Sequence, residues 1–161
     1  MAETIKVGIS DLKVARSPDT LVTFALGSCV GICLYDSVVK VAGLSHIMLP
    51  DSTQTHGPVQ RFRFADTAIP ALVQQMTMLG ANPRRMKAKI AGGARMFATA
   101  SNSSLSNIGQ RNVIAVKEQL RKLGIPIIAE DTGKDYGRTQ FFSAEDGIMV
   151  IKSARSGESR W

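Results

Sequence analysis

Cysteine and histidine are scarce in this chain, with two of each in 161 residues, and its single tryptophan, Trp161, is the last residue. Cys29 and Cys33, spaced C-x3-C, do not suggest a disulfide framework. On one extended strand their Cα atoms would lie about 13 Å apart, beyond disulfide reach. The four soft ligands, Cys29, Cys33, His46 and His56, lack the short paired spacings of a zinc site. No metal or other cofactor is therefore expected, and His56, beside Gly57, reads as a solvated loop residue. Neither "LGSCVG" nor "AGGAR" has the glycine pattern of a dinucleotide fold or a P-loop, so the Gly92–Gly93 pair reads as a tight turn at a strand end, a candidate to line a pocket. No apolar run reaches the roughly 18 residues that would span a bilayer, so the protein is not expected to be membrane-embedded. "MAETIKVGISDLK" has no apolar signal segment, which makes the cytoplasm the expected compartment. Aromatics are 6% of the chain and no long Lys/Arg block occurs, which argues against direct nucleic-acid binding despite a net charge of +7. An acidic protein partner fits that charge better. There is no internal repeat and no low-complexity segment.

The chain has enough residues, 44% of them hydrophobic, to bury one core without staples. A single domain over 1–161 is expected, with its core at about 5–152 and a polar, frayed tail at 153–161. "IKVGISDLKVA" reads as an opening strand and "SPDT" as a turn. "LVTFALGSCVGICLYD" is a long apolar strand pattern interrupted by Gly27 and Gly31, and glycine in such a pattern marks a bulge or a close backbone approach. "KVAGLSHIML" reads as its hairpin partner across "DSVV", which puts Cys29 and His46 on adjacent antiparallel strands or at their ends. A polar surface loop over 50–64 and a second loop at "SNSSLSN" are expected. One amphipathic helix is predicted in "ADTAIPALVQQMTMLG", with Asp66 as N-cap, Pro70 near the first turn and Gly80 as stop. A second is predicted in "IGQRNVIAVKEQLRKLG", with Val113, Val116, Leu120 and Leu123 on one stripe and Gly124 as stop. "RMKAKIAGGARMF" and "IPIIAED" read as strands, and "TQFFSAEDGIMVIKSA" as a closing hairpin. Six or seven strands with two clear helices make an α+β domain, packed β-sheets with two main outer helices.

The residues that could carry chemistry are few. A thiolate, not a thiol, attacks, so a reactive Cys29 needs a base such as His46 beside it. Gly27 would permit a tight backbone that leaves N–H groups near Cys29 free to hold an oxyanion. On spacing alone Cys29 could equally be a packed strand cysteine and His46 a core histidine. Cys33, between Ile32 and Leu34, reads as packed.

"LVTFALGSCVGICLYD", "AGLSHIMLPDS", "FADTAIPALVQQM", "KAKIAGGARMF", "IGQRN" and "AEDTGKDYGRT", in this order, resemble the chemoreceptor glutamine deamidases, CheD. The likeness runs over roughly residues 5 to 152. It implies a layered α/β-type domain related to the deamidase domain of cytotoxic necrotizing factors. It also implies a Cys-His-Thr triad at Cys29, His46 and Thr23. Thr23 and Cys29 are separated by an even number, which on a regular strand would place them on one face. Thr23 would then fix the His46 tautomer, as the third member of a triad does. The family often has a second glycine where Lys134 stands in "DTGKDYGR", and Arg138 is a candidate to line a pocket.

The activity implied is hydrolysis of glutamine side chains on the cytoplasmic helical bundle of methyl-accepting chemotaxis receptors, giving glutamate and ammonia through a thioester. The CheC phosphatase is an implied partner in some bacteria. Two other readings remain open: a methylesterase using the same thiol, and an adaptor that binds receptor or phosphatase without chemistry.

Overall fold

The long apolar run at 21–36 is two strands that belong to different sheets. In the computed structural model, which describes residues 2–54, 57, 60–96 and 107–161, β3 (Thr20–Leu26) stops at the glycine-serine bend and β4 (Val30–Asp36) restarts beyond it. The opening segment divides in the same way. β1 (Thr4–Lys6) and β2 (Asp11–Arg16) replace the single strand expected there, because the chain turns through Ser10 at φ 58. The remaining elements are β5 (Val41–Ile47), α1 (Ala65–Met78), β6 (Lys87–Gly92), α2 (Ile108–Lys122), β7 (Ile127–Thr132), β8 (Arg138–Ser143), β9 (Met149–Ser153) and β10 (Gly157–Arg160).

The two five-stranded sheets have the orders β1-β3-β8-β9-β10 and β2-β5-β4-β6-β7. The second is central. One of its faces carries α1 and α2, and the other packs on the first sheet. Strands covered on both faces read as continuous apolar runs rather than alternating ones, which is the pattern of β4 and β5. Val30, Ile32 and Leu34 face the helices, where they meet Ile69, Leu72, Met76, Val116 and Leu120. Cys33 faces the other way and packs with Leu21, Leu26, Phe142, Met149 and Ile151 between the sheets. Each fully buried aliphatic side chain of this kind contributes about 1.5–3 kcal/mol. Gly43 lets α1 approach β5, since a Cβ there would sit 2.7 Å from both Leu72 Cδ1 and Met76 Sδ.

The β4–β5 hairpin forms as expected, with the Asp36 carboxylate accepting from Val38 N in its turn. Both helices stop where glycine reaches positive φ, at Gly80 (98°) and Gly124 (71°). Asp66 is not the N-cap. Phe64 holds that position, and the Asp66 carboxylate instead accepts from the Ser52 N–H and hydroxyl at 3.0 and 2.7 Å. Pro70 sits inside α1 rather than in its first turn, on an exposed position. The tail is not frayed: β10 pairs antiparallel with β9, from Gly157 opposite Ser153 to Arg160 opposite Val150. The expected loop at 101–107 lies almost wholly outside the described residues, as does His56.

Candidate active site

Thr23 and His46 meet across the gap between the two sheets. Thr23 is on β3 and 1% exposed; His46 is on β5 and fully buried. The Thr23 hydroxyl lies 2.7 Å from the Val7 carbonyl oxygen and 2.7 Å from His46 Nδ1. A hydroxyl has one proton, and a carbonyl can only accept. Thr23 therefore donates to Val7 and accepts from His46, which puts the imidazole proton on Nδ1 and leaves a lone pair on Nε2. Among the described residues, Nε2 is buried and has no hydrogen-bond partner. Burial lowers the His46 pKa to about 4, so the ring is neutral near pH 7.

Cys29 lies in the bend before β4. Gly31 of β4 pairs with His46 of β5, so Cys29, two residues earlier, occupies the diagonal position beside that histidine. Such neighbours have Cα atoms about 7–8 Å apart, within reach of side-chain motion. The thiol is half-buried and packs against the cluster between the sheets, the side on which Thr23 meets His46. Burial raises its pKa, and its own backbone N–H opposes that rise. The resting pair is thus a neutral thiol and a neutral imidazole, with no hydrogen bond between Sγ and Nε2. Cys33 is fully buried, and burial pushes its thiol well up, with the Lys89 cation opposing.

Thr23 and Cys29 do not share a strand face. β3 bulges between Thr23 and Leu26, with Ala25 at φ 60, and the chain then crosses to the central sheet. The packing of one sheet on the other joins Thr23 to His46 and sets Cys29 against the apolar cluster between the sheets. The bend itself is held from outside. Ala94 N donates to the Gly27 carbonyl and Gly93 N to the Cys29 carbonyl, both at 2.8 Å. Gly92 (φ 105) must be glycine here, because a Cβ would collide with the Cys29 carbonyl oxygen. Asn112 of α2, fully buried, donates from Nδ2 to the carbonyls of Ser28 and Met48, each at 2.9 Å. Its sequence signal was available: Asn112 stands one turn before Val116 and two before Leu120 on the buried stripe of α2.

Gly93 also lines a cavity of about 400 Å³ with Arg95, Asn107, Gln110, Val113, Thr132, Gly133 and Lys134. Arg138 does not line it. Its side chain is buried, stacks 4.5 Å over the Tyr136 ring, and donates to the Gly133 carbonyl and to Asp131. Lys134 has φ 63, a backbone conformation that glycine adopts without strain. Among the described residues no group of three or more His, Cys, Asp or Glu could hold a metal ion.

The family model described as CheD chemotactic sensory transduction matches residues 48–153. A curated relative from Caldanaerobacter subterraneus subsp. tengcongensis is 53% identical over 97% of this chain and 96% of its own. The chain belongs to the CheD family. A second CheD relative, from Clostridium novyi, is 52% identical over 96% of each chain. Both bear the name "Probable chemoreceptor glutamine deamidase CheD". A solved structure, Bacillus licheniformis hypothetical protein YfiH, has a TM-score of 0.46 at 14% identity, over 76% of this chain and 50% of that one. The CheD family model begins just beyond His46, whereas the likeness to the CheD relatives extends over nearly the whole chain. No helix among the described residues is long and apolar enough to cross a membrane.

Proposed function

We propose that this chain is a chemoreceptor glutamine deamidase in which Cys29 is the nucleophile, His46 the general base and acid, and Thr23 the residue that sets the imidazole tautomer. The observation that carries this reading is the chain Val7 O, Thr23 Oγ1, His46 Nδ1, which leaves Nε2 bare on the histidine that pairs with Gly31, two residues from the partly exposed Cys29. The names of the CheD relatives support the same substrate class.

As Sγ attacks the carboxamide carbon, Nε2 takes the thiol proton and negative charge develops on the substrate oxygen. Imidazolium then returns that proton to the leaving nitrogen, the C–N bond breaks, and ammonia departs from a thioester. Water, deprotonated by Nε2, attacks the thioester carbon, and the thiolate leaves and is reprotonated. The product is glutamate. Thr23 is neutral, so it stabilises imidazolium less than a carboxylate would. Its part is the tautomer and the ring plane.

The test is mass spectrometry of receptor cytoplasmic fragments after incubation with the protein. Deamidation adds about one dalton at a glutamine and releases ammonia, and Cys29→Ala should abolish both. Equal receptor binding by wild type and Cys29→Ala with no mass change would make the protein an adaptor instead. Turnover of glutamyl methyl ester receptors alone would make it an esterase.

A further inference from the structure

We propose that Asn112 is a positioning residue for the reaction, holding the Ser28–Cys29 peptide so that the Cys29 N–H faces the reacting thiol and the oxygen of the substrate carbonyl. This rests on the deamidase reading of the Cys29 site. Asn112 spends both Nδ2 protons on main-chain carbonyls at the two ends that form the site: Ser28, directly before Cys29, and Met48, two residues beyond His46. Both partners can only accept, so the orientation of the amide is fixed by chemistry. Its own Oδ1 is buried without a partner among the described residues, so the side chain is not placed there for its own satisfaction.

A trans peptide points its C=O and N–H in opposite directions. With the Ser28 carbonyl drawn toward α2, the Cys29 N–H is turned away from the helix, toward its own sulfur. The carbonyls on either side, Gly27 and Cys29, are tied down by Ala94 N and Gly93 N. Three consecutive carbonyls are thus occupied from outside, while the Ser28 and Cys29 N–H groups donate to no backbone acceptor among the described residues. Fixed N–H donors of this kind act on charge that develops in the transition state. Asn112 also pins together the open end of the β4–β5 hairpin, opposite its 37–40 turn, and so holds the Cys29 segment against the His46 segment.

The experiment compares wild type with Asn112→Leu, similar in shape but unable to donate, and with Asn112→Asp. It reads receptor-fragment deamidation and iodoacetamide alkylation of Cys29, resolved from buried Cys33 by peptide mapping. Asn112→Leu should lose about 10²-fold in kcat with KM within about twofold. Its Cys29 should alkylate about threefold more slowly or worse at pH 8, because the N–H no longer supports the thiolate. Asn112→Asp should be equally impaired at pH 8 and regain part of its activity and alkylation relative to Asn112→Leu at pH 5, where a protonated carboxyl can donate one of the two hydrogen bonds again. If Asn112→Leu does not fold, the Asn112→Asp profile decides alone, and a flat ratio to wild type across pH overturns the proposal. A folded Asn112→Leu protein with wild-type kcat and alkylation also overturns it. Alkylation needs no receptor, so a wild type that never deamidates would sink the deamidase reading while the thiol data still judge Asn112.

Discussion

The Thr23 hydroxyl does two things at once, and substitutions can separate them. Thr23→Ser keeps both the donor to Val7 and the acceptor for His46 Nδ1. Thr23→Val keeps the shape and loses both. Ammonia release should fall about 10²-fold in Thr23→Val and stay within about fivefold in Thr23→Ser. Equal rates in the two variants would mean that the tautomer is set elsewhere. His46, lowered by burial to about 4, gives two pH expectations. In the free enzyme kcat/KM should stay level from about pH 8 down to about pH 5, since Nε2 remains unprotonated well below the usual histidine range. An acid limb centred near 6.5 would contradict the buried environment. For stability, above pH 6.5 histidine is neutral in both the folded and unfolded states and costs nothing. Between 6.5 and 4 the unfolded chain takes a proton that the folded chain refuses, so stability falls by about 3 kcal/mol and the loss is complete below 4. Unfolding free energies from urea titrations should show it: from pH 7 to 4 wild type should lose roughly that amount relative to His46→Gln.

At the scale of elements, the site depends on how close β6 comes to the bend before β4. Gly92→Ala would place a methyl against the Cys29 carbonyl oxygen and strain a residue at φ 105. It should cost about 3 kcal/mol or more and slow Cys29 alkylation. Gly157→Ala, at φ 77 with open space around it, should cost about 1 kcal/mol and leave alkylation unchanged. Chemical denaturation and thiol trapping read both, and equal effects would mean that backbone strain, not contact with the bend, dominates. These elements also show what a sequence can disclose. The hairpin, the two helices with their glycine stops, buried Cys33 and the strand that ends at Gly92 were legible, because local chemistry sets each of them. Gly92–Gly93 is not the tight turn expected, since Gly92 is still paired in β6 and Gly93 and Ala94 run on beside the Gly27–Cys29 bend. The split of the first strand, the parallel pairing of β1 with β3 and the docking of β10 on β9 were not, because long-range partners decide them. The same-face argument for Thr23 and Cys29 failed for that reason. A bulge and a change of sheet lie between them, and it is His46, on the other sheet, that the packing brings to Thr23. Asp66 looked like a helix cap until the distant Ser52 claimed its carboxylate.

At the scale of the whole molecule, the net charge of +7 should act on encounter with an acidic receptor surface rather than on chemistry. KM for a receptor fragment should rise several-fold, on the order of three to ten, between 50 and 500 mM NaCl, while kcat holds, because salt screens exposed charges beyond about one Debye length. Placement makes the expectation sharper. Lys134 lines a cavity with Gly93, whose N–H donates to the Cys29 carbonyl. Lys40 lies in the 37–40 turn, at the far end of the hairpin from Cys29. If docking is local, Lys134→Glu should raise KM several-fold and flatten the salt dependence, and Lys40→Glu should do neither. If the two reversals act alike, the receptor responds to the summed field and not to a basic rim at the site. If neither matters and KM ignores salt, the charge serves solubility alone, and recognition must rest on the shape and hydrogen bonding of the site itself.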